Sequence, residues 1–346
     1  MLRTIPAVVR LRLKRSFSAT TAAHLARLNE AATNRPAMTT VLTIAHLSDV
    51  HLGPIRGFAP RYWNLKRLTG YWNWLSTRRG FYQRSVLDRL VADLKAQRPD
   101  HIVVTGDLAN IGLPQEHIDA LAWLNALGPP DHVSVIPGNH DIYARQRRDP
   151  GTRRWAAYMQ SNADGKRHLL GEAAASEFPF VRRLEDVALI GLNSAVPTPP
   201  LIAWGSAGRE QLARLAHVLD SAGRAGLFRL VLIHHPPLPG QASATRGLRD
   251  AAALQGVLRE HGAELVIHGH NHLNMLRLEP SASGATIPIV GVASASLARR
   301  HGREGLARYN LYRIGGRPWH ITLAGRGLDD PDGGIVELER RSLLAT

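Results

Sequence analysis

Five short polar motifs occur in one order along this 346-residue chain: Asp49-Val50-His51, Gly106-Asp107-Leu108-Ala109-Asn110, Gly138-Asn139-His140-Asp141, His234-His235-Pro236-Pro237 and Gly269-His270-Asn271-His272. Each follows an apolar, β-branched run. Oxygen and nitrogen donors arriving from the ends of several strands can converge on one pocket, and there are enough of them here for two metal ions. Residues two apart in a strand point the same way. Asp49 and His51 are therefore expected to reach one ion together, with His270 and His272 forming a second such pair. Asp107 has two carboxylate oxygens with which to bridge two cations. Asn139 offers a neutral carbonyl oxygen and His234 an imidazole. The glycines before Asp107, Asn139 and His270 suit tight turns and close approach.

The donor set narrows the chemistry. The chain has no cysteine, which excludes disulfides and thiolate ligands. Mixed nitrogen and oxygen ligation suits Mn, Fe or Zn better than Ca or Mg. Two such ions roughly 3.5–4 Å apart would clamp a phosphoryl group and activate a bridging water for attack on phosphorus. His140, one residue beyond a ligand, is expected to face the substrate. There it would stabilise developing charge or protonate the leaving alkoxide, with Asp141 orienting its ring. Taken singly the motifs have plainer readings, because Gly, Asn and Asp all favour turns and His-His before two prolines can simply end a strand. Their conjunction in order, each after a strand, carries the metal reading. Six of the 17 histidines lie in these motifs. The others, His46, His101, His132 and His268 among them, read as strand or surface histidines.

The elements that must position these residues alternate. Strands are predicted over 41–47, 101–105, 132–136, 184–192, 228–233, 264–267, 287–292, 309–314 and 320–323. Helices are predicted over 85–97, 115–127, 209–219 and 248–260. Most strands are continuous apolar runs, which indicates an α/β protein with sheets buried on both faces. No apolar stretch approaches the roughly 20 residues needed to span a bilayer.

The motifs resemble those of the calcineurin-like metallophosphoesterases, whose pattern is D-x-H, G-D, G-N-H-[DE], H and G-H-x-H. The resemblance covers roughly residues 41–296 with every motif intact. It implies a four-layer α/β/β/α sandwich of two mixed sheets. It also implies one metal held by Asp49, His51, Asp107 and His272, and a second held by Asp107, Asn139, His234 and His270. His140 matches the family's catalytic histidine, and His235 an outer-shell or substrate-facing position. Gly106 to Gly112 with Pro114 and Glu116, the His-His-Pro-Pro-Leu-Pro run, and Gly205 with Glu210-Gln211-Leu212 look like the cyclic-nucleotide and glycerophosphodiester phosphodiesterase branch. There Asn110 would lie near the phosphate or the ligands. The lipid-A pathway hydrolases of this fold usually carry Asn-Arg where this chain has Asn139-His140. Its nucleases usually carry His at the Asn110 position and add a capping domain. The resemblance thus implies a metal-dependent phosphodiesterase acting through a metal-bound hydroxide. Weaker alternatives are a nuclease and a protein-binding scaffold that has lost catalysis.

The net charge of +15 looks like a nucleic-acid signal, but it is uneven. Residues 1–37 carry +6 and residues 54–87 carry +7, leaving about +2 for the rest. The first segment, Arg-rich and acid-poor, reads either as a transit peptide or as an extension preceding a start at Met38, disordered or not native. The catalytic domain is then expected over 38–325, with a polar tail over 326–346. Residues 56–84 hold seven basic residues, no acid and eight of the chain's 20 aromatics. Beside Asp49 and His51, this insert reads in three ways: a strip docking on anionic lipid headgroups, a stacking platform for single-stranded nucleic acid, or a lid packed on the enzyme. Lipid docking would make the protein a membrane-surface phosphoesterase acting on a lipid-linked or nucleotide-lipid phosphate. The expected location is cytoplasmic, peripheral at the inner membrane surface if the strip binds lipid.

Overall fold

The computed structural model describes residues 41–145, 149–171 and 177–344; the basic segment 1–37 and the proposed start at Met38 lie outside the described residues. Twelve strands run through the described chain: β1 (Leu42–Leu47), β2 (His101–Val104), β3 (Val133–Val135), β4 (Phe180–Leu184), β5 (Val187–Gly191), β6 (Phe228–Leu232), β7 (Leu265–His268), β8 (Met275–Pro280), β9 (Thr286–Gly291), β10 (Arg308–Gly315), β11 (His320–Leu328) and β12 (Ile335–Leu344). They form two six-stranded mixed sheets, ordered β12-β11-β10-β1-β2-β3 and β4-β5-β6-β7-β9-β8. The parallel cores are β1-β2-β3 in one sheet and β5-β6-β7-β9 in the other.

Period-two alternation sorts the apolar side chains into layers. Leu42 and Ile44 of β1 pack between the sheets with Val103, Leu189, Leu230, Ile267 and Tyr312. Ala45 and Leu47 of the same strand face outward. They pack under helix α2 (Arg84–Ala96) through Leu87, Leu90 and Leu94, and under helix α3 (Pro114–Leu127) through Ala120, Trp123 and Leu124. Helices α4 (Arg209–Arg224) and α5 (Ala251–His261) cover the second sheet through Leu212, Leu215, Val218, Leu254 and Leu258. The order of layers is α/β/β/α. Among the described residues no helix is long and apolar enough to cross a membrane.

Three elements depart from the sequence pattern. The strand expected over 184–192 is β5, and it is preceded by a hairpin partner that the pattern did not indicate, β4, with the turn at Glu185, which takes φ of 51°. Strand β8 is amphipathic and mostly exposed, so it lacks the apolar run that marked its neighbours. The polar tail expected over 326–346 is a correction: β11 runs to Leu328 and β12 adds an edge strand, registered from Ile321↔Leu344 to Leu328↔Ile335. The Asp- and Gly-rich stretch between them is the turn of that hairpin. The charged alternation of β12 reads as solvent-facing loop in sequence because only one side of an edge strand is buried.

The basic-aromatic insert folds as helix α1 (Leu65–Asn73) followed by a short π-helical turn over Trp74–Arg78. Asn64 caps α1 by accepting from the Arg67 backbone N–H at 2.9 Å. Phe58, Tyr62, Tyr71 and Trp74 pack inward on Ile55, Ile111, Leu113 and Tyr143. Trp63, Leu65, Leu68, Trp72 and Leu75 stay exposed.

Candidate metal centre

The five motifs sit at the C-terminal ends of the parallel strands, just past where the ladders stop. Asp49 and His51 follow β1, Asp107 follows β2, Asn139 follows β3, His234 follows β6, and His270 and His272 follow β7. Backbone hydrogen bonds zip the first two loops together: Asp49 N–H to Gly106 O at 3.0 Å, His51 N–H to Asp107 O at 2.9 Å and Leu52 N–H to Leu108 O at 2.8 Å.

The strand argument for Asp49 and His51 needs correcting. Neither is in a strand, and Asp49, His51, Asp107, His270 and His272 all have positive φ, between 44° and 67°. Only three other non-glycine residues among those described do so. Such conformations cost on the order of 1–3 kcal/mol each and persist where the surroundings over-determine them. The left-handed turns bring the i and i+2 side chains inward from a loop. Close approach also dictates the glycines: a Cβ on Gly138 would lie 2.2 Å from Asp107 Oδ1, and one on Gly269 would lie 1.9 Å from Ser48 Oγ.

The donors fall into two buried groups, Asp49 with His51 and His272, and Asp107 with His234 and His270. His270 and His272 therefore part company, instead of serving one ion as a pair. In the first group His51 Nε2 and His272 Nε2 face each other at 3.4 Å, with Asp49 Oδ1 at 3.1 Å from the latter. In the second, Asn139 Oδ1 lies 2.8 Å from His270 Nδ1 and 3.2 Å from His234 Nε2. Asp107 Oδ2 faces both groups, 3.4 Å from His234 Nε2 and 4.0 Å from His51 Nε2. Its other oxygen accepts from the His140 backbone N–H at 2.8 Å.

The residues fit a pair of cations. His51 Nδ1–H donates to Ala109 O at 3.2 Å and His234 Nδ1–H to Thr105 O at 2.7 Å. His272 Nδ1–H lies 2.9 Å from the Tyr82 hydroxyl, which donates to Glu304, itself 3.3 Å from the same nitrogen. Each outer partner fixes a tautomer that leaves Nε2 as a lone pair aimed inward. Lone pairs crowded at these spacings repel unless a cation lies among them. Ligands about 2.1 Å from a shared tetrahedral ion sit about 3.4 Å apart. Charge points the same way. Burial and the Arg78 charge hold His51 well below its ordinary pKa, and burial does the same to His270, so both stay neutral. Burial disfavours charge on His234 and His272 too, but the Asp107 and Asp49 carboxylates override it and push both up to about 9. The acids thus demand positive charge at this spot.

His140 Nδ1–H donates to Asn110 O at 2.5 Å, and its Nε2 accepts from Arg78 Nη1 at 3.1 Å. The expected orienting role of Asp141 is therefore corrected. Its carboxylate instead accepts from the backbone N–H groups of Asp107, Leu108, Ala109 and Gly138, at 2.8–2.9 Å, and so shapes the turn that presents Asp107. The Asn110 backbone carbonyl orients the His140 ring, while the Asn110 side chain donates to Leu52 O. His235 is buried behind the second group, with Nδ1 at 2.8 Å from Ser194 Oγ and Nε2 at 3.2 Å from Ala203 O.

A cleft of about 330 Å³ opens over both groups. Asp107, Asn139, His140, His270 and His272 form its floor. Its walls include residues that the motifs did not indicate: Lys66, Thr69, Asn73 and Arg78 from the insert, with Tyr143, Arg246 and Glu304. Composition flagged the insert as unusual but could not show which of its cations turn inward.

Residues 42–274 match the family model described as Calcineurin-like phosphoesterase. The chain is similar to a cAMP/cGMP dual specificity phosphodiesterase of Mycobacterium tuberculosis, 28% identical over 230 residues, covering 63% of each chain. It is also similar to a glycerophosphodiester phosphodiesterase of Enterobacter lignolyticus, 30% identical over 198 residues, covering 56% of this chain and 63% of that one. Each alignment thus spans just under two thirds of the relative's length. A dimetal phosphatase from Danio rerio shares the fold, with a TM-score of 0.56 at 16% identity, covering 88% of this chain and 99% of the other.

Proposed function

Because this chain belongs to the calcineurin-like phosphoesterase family, we propose that it hydrolyses a phosphodiester, of the cyclic-nucleotide or glycerophosphodiester kind, with two divalent ions (Mn, Fe or Zn) held by its paired ligand groups. Asp49, His51 and His272 would hold one ion, Asn139, His234 and His270 the other, with Asp107 Oδ2 shared between them. When bound, two such ions polarise the phosphoryl oxygens and make a coordinated water acidic enough to act as nucleophile near neutral pH. The observation that carries the reading is the single Asp107 oxygen facing both groups beneath an open cleft.

The chain's own residues supply the rest. Tyr82 and Glu304 lock the His272 ring, and Thr105 O and Ala109 O lock those of His234 and His51. His140 sits on the cleft floor with its Nε2 turned to Arg78. Burial and the Arg78 charge lower its pKa to about 3, so it is neutral at rest. It meets the substrate as one half of an imidazole–guanidinium pair, with the positive charge residing on Arg78 and suited to a phosphoryl oxygen that gains charge in the transition state. The phosphodiesterase names of the similar proteins support the diester over the monoester.

Metal-reconstituted protein offered cyclic nucleotides, glycerophosphodiesters, an aryl phosphomonoester and a phospholipid should bind about two ions per chain and turn over a soluble diester fastest. Turnover of the monoester alone would overturn the proposal.

A further inference from the structure

We propose that Lys66, from the insert, forms a second anion subsite beside the metal centre, so that the preferred substrate is a phosphoester bearing a further anionic group. This inference rests on the phosphoesterase reading above and names what that reading leaves open.

Lys66 is the unusual residue. It is only 7% exposed and lines the cleft. Among the described residues no carboxylate lies within 4 Å of its ammonium. Its Nζ donates to Thr198 Oγ1 at 2.5 Å and lies 4.4 Å from the centroid of the Tyr143 ring. An ammonium has three donors, and one hydroxyl with one ring face leaves that capacity incompletely used. Burying an ammonium without a counter-charge is costly, and burial lowers its pKa to about 8. A sequence selected only for packing would place an apolar side chain here. An incoming anion supplies the missing partner.

The position suits a group on the substrate rather than a free-standing ion. Tyr143 stacks on His140 with centroids 5.4 Å apart, so Lys66 stands one ring away from the residue facing the reaction. Arg78 reaches from the insert into the same cleft, donating to His140 Nε2 and making no ion pair among the described residues. The cleft's acids are already engaged, Asp107 with the ligand groups and Glu304 with Tyr82 and His272. Two divalent ions against Asp49, Asp107, a deprotonated water and one diester charge would come to balance, and Arg78 already serves the reacting phosphoryl group. Lys66 is then the cation that a monoanionic diester leaves without a partner, and a substrate bearing a further anionic group meets it directly.

The test uses a matched pair of diesters, ethyl 4-nitrophenyl phosphate and its 2-phosphonoethyl analogue, with metal-loaded full-length protein. Wild type should favour the phosphonate-bearing diester by at least tenfold in kcat/KM, mostly through KM. Lys66→Met should bring that ratio close to one, and Lys66→Gln should act likewise. A wild-type ratio of one or below overturns the subsite whether or not the variants fold. So does a variant ratio equal to wild type. If neither diester is turned over, the phosphodiesterase reading falls instead. The subsite is then judged by titrating inorganic pyrophosphate into wild type and Lys66→Met: at least a fivefold loss of affinity supports it, and equal affinity overturns it.

Discussion

A single carboxylate oxygen, Asp107 Oδ2, faces both ligand groups, while Oδ1 is occupied by the His140 backbone N–H. Replacing it with an amide keeps the shape and removes the charge on which both groups draw. Asp107→Asn should therefore lower bound metal from two ions to one or fewer and reduce kcat by about 10³-fold or more, a loss of roughly 4 kcal/mol of transition-state stabilisation. Elemental analysis and turnover on a soluble diester measure this, and full activity with two ions would reject the shared role. At this scale the sequence showed residue types and not conformations. Asp49-x-His51 and His270-x-His272 are legible as donors, but their positive φ values are not, because nothing in Asp or His demands the left-handed region. The partner chosen by the His140 ring was hidden for a similar reason. Asp141 is adjacent in sequence, yet four backbone N–H groups claim its carboxylate.

Helix α3 shows how an element holds the site without touching it. Its first turn carries Glu116, 3% exposed, whose carboxylate accepts from the backbone N–H groups of Asn110, Ile111 and Leu113 at 2.8–3.1 Å. That arrangement fixes the loop whose Asn110 carbonyl holds the His140 ring. Glu116→Ala leaves those donors buried without a partner and should cost about 2–3 kcal/mol, read from the urea midpoint. Activity should fall further than stability alone explains, because His140 loses its anchor. An unchanged midpoint would contradict the role. The helices and parallel strands of this layer were legible from periodicity, since Val86, Leu87, Leu90 and Leu94 mark one face of α2. The insert was legible only as composition. Its inward face comprises Phe58, Tyr62, Tyr71 and Trp74 with Lys66 and Arg78, while Trp63 and Trp72 of the same composition point outward. Sorting them requires the surface they pack on, which no local pattern contains.

Across the whole molecule, buried histidines set the response to acid. His46 and His101 are each fully buried, and burial is the first cause that brings each down to about 3. Both are neutral when folded and take up protons when unfolded. Their contribution is therefore complete above the unfolded value of about 6.5 and is lost as pH falls below it, until the folded value is reached. At pH 5 the loss is on the order of 2 kcal/mol for each. The melting temperature should fall steadily below pH 6.5, and His101→Gln, which keeps a partner for Ser134 Oγ, should flatten that slope. A variant with the wild-type slope would show that other groups govern it. Sheet order has a consequence of a different kind. Strand β1, which leads into Asp49 and His51, lies between β2 and β10, and β10 begins only at Arg308. On the ribosome, the strand that leads into the first ligands is made more than 250 residues before its second neighbour. Until then β1 keeps an open edge, and the centre waits on that long-range pairing for its second wall.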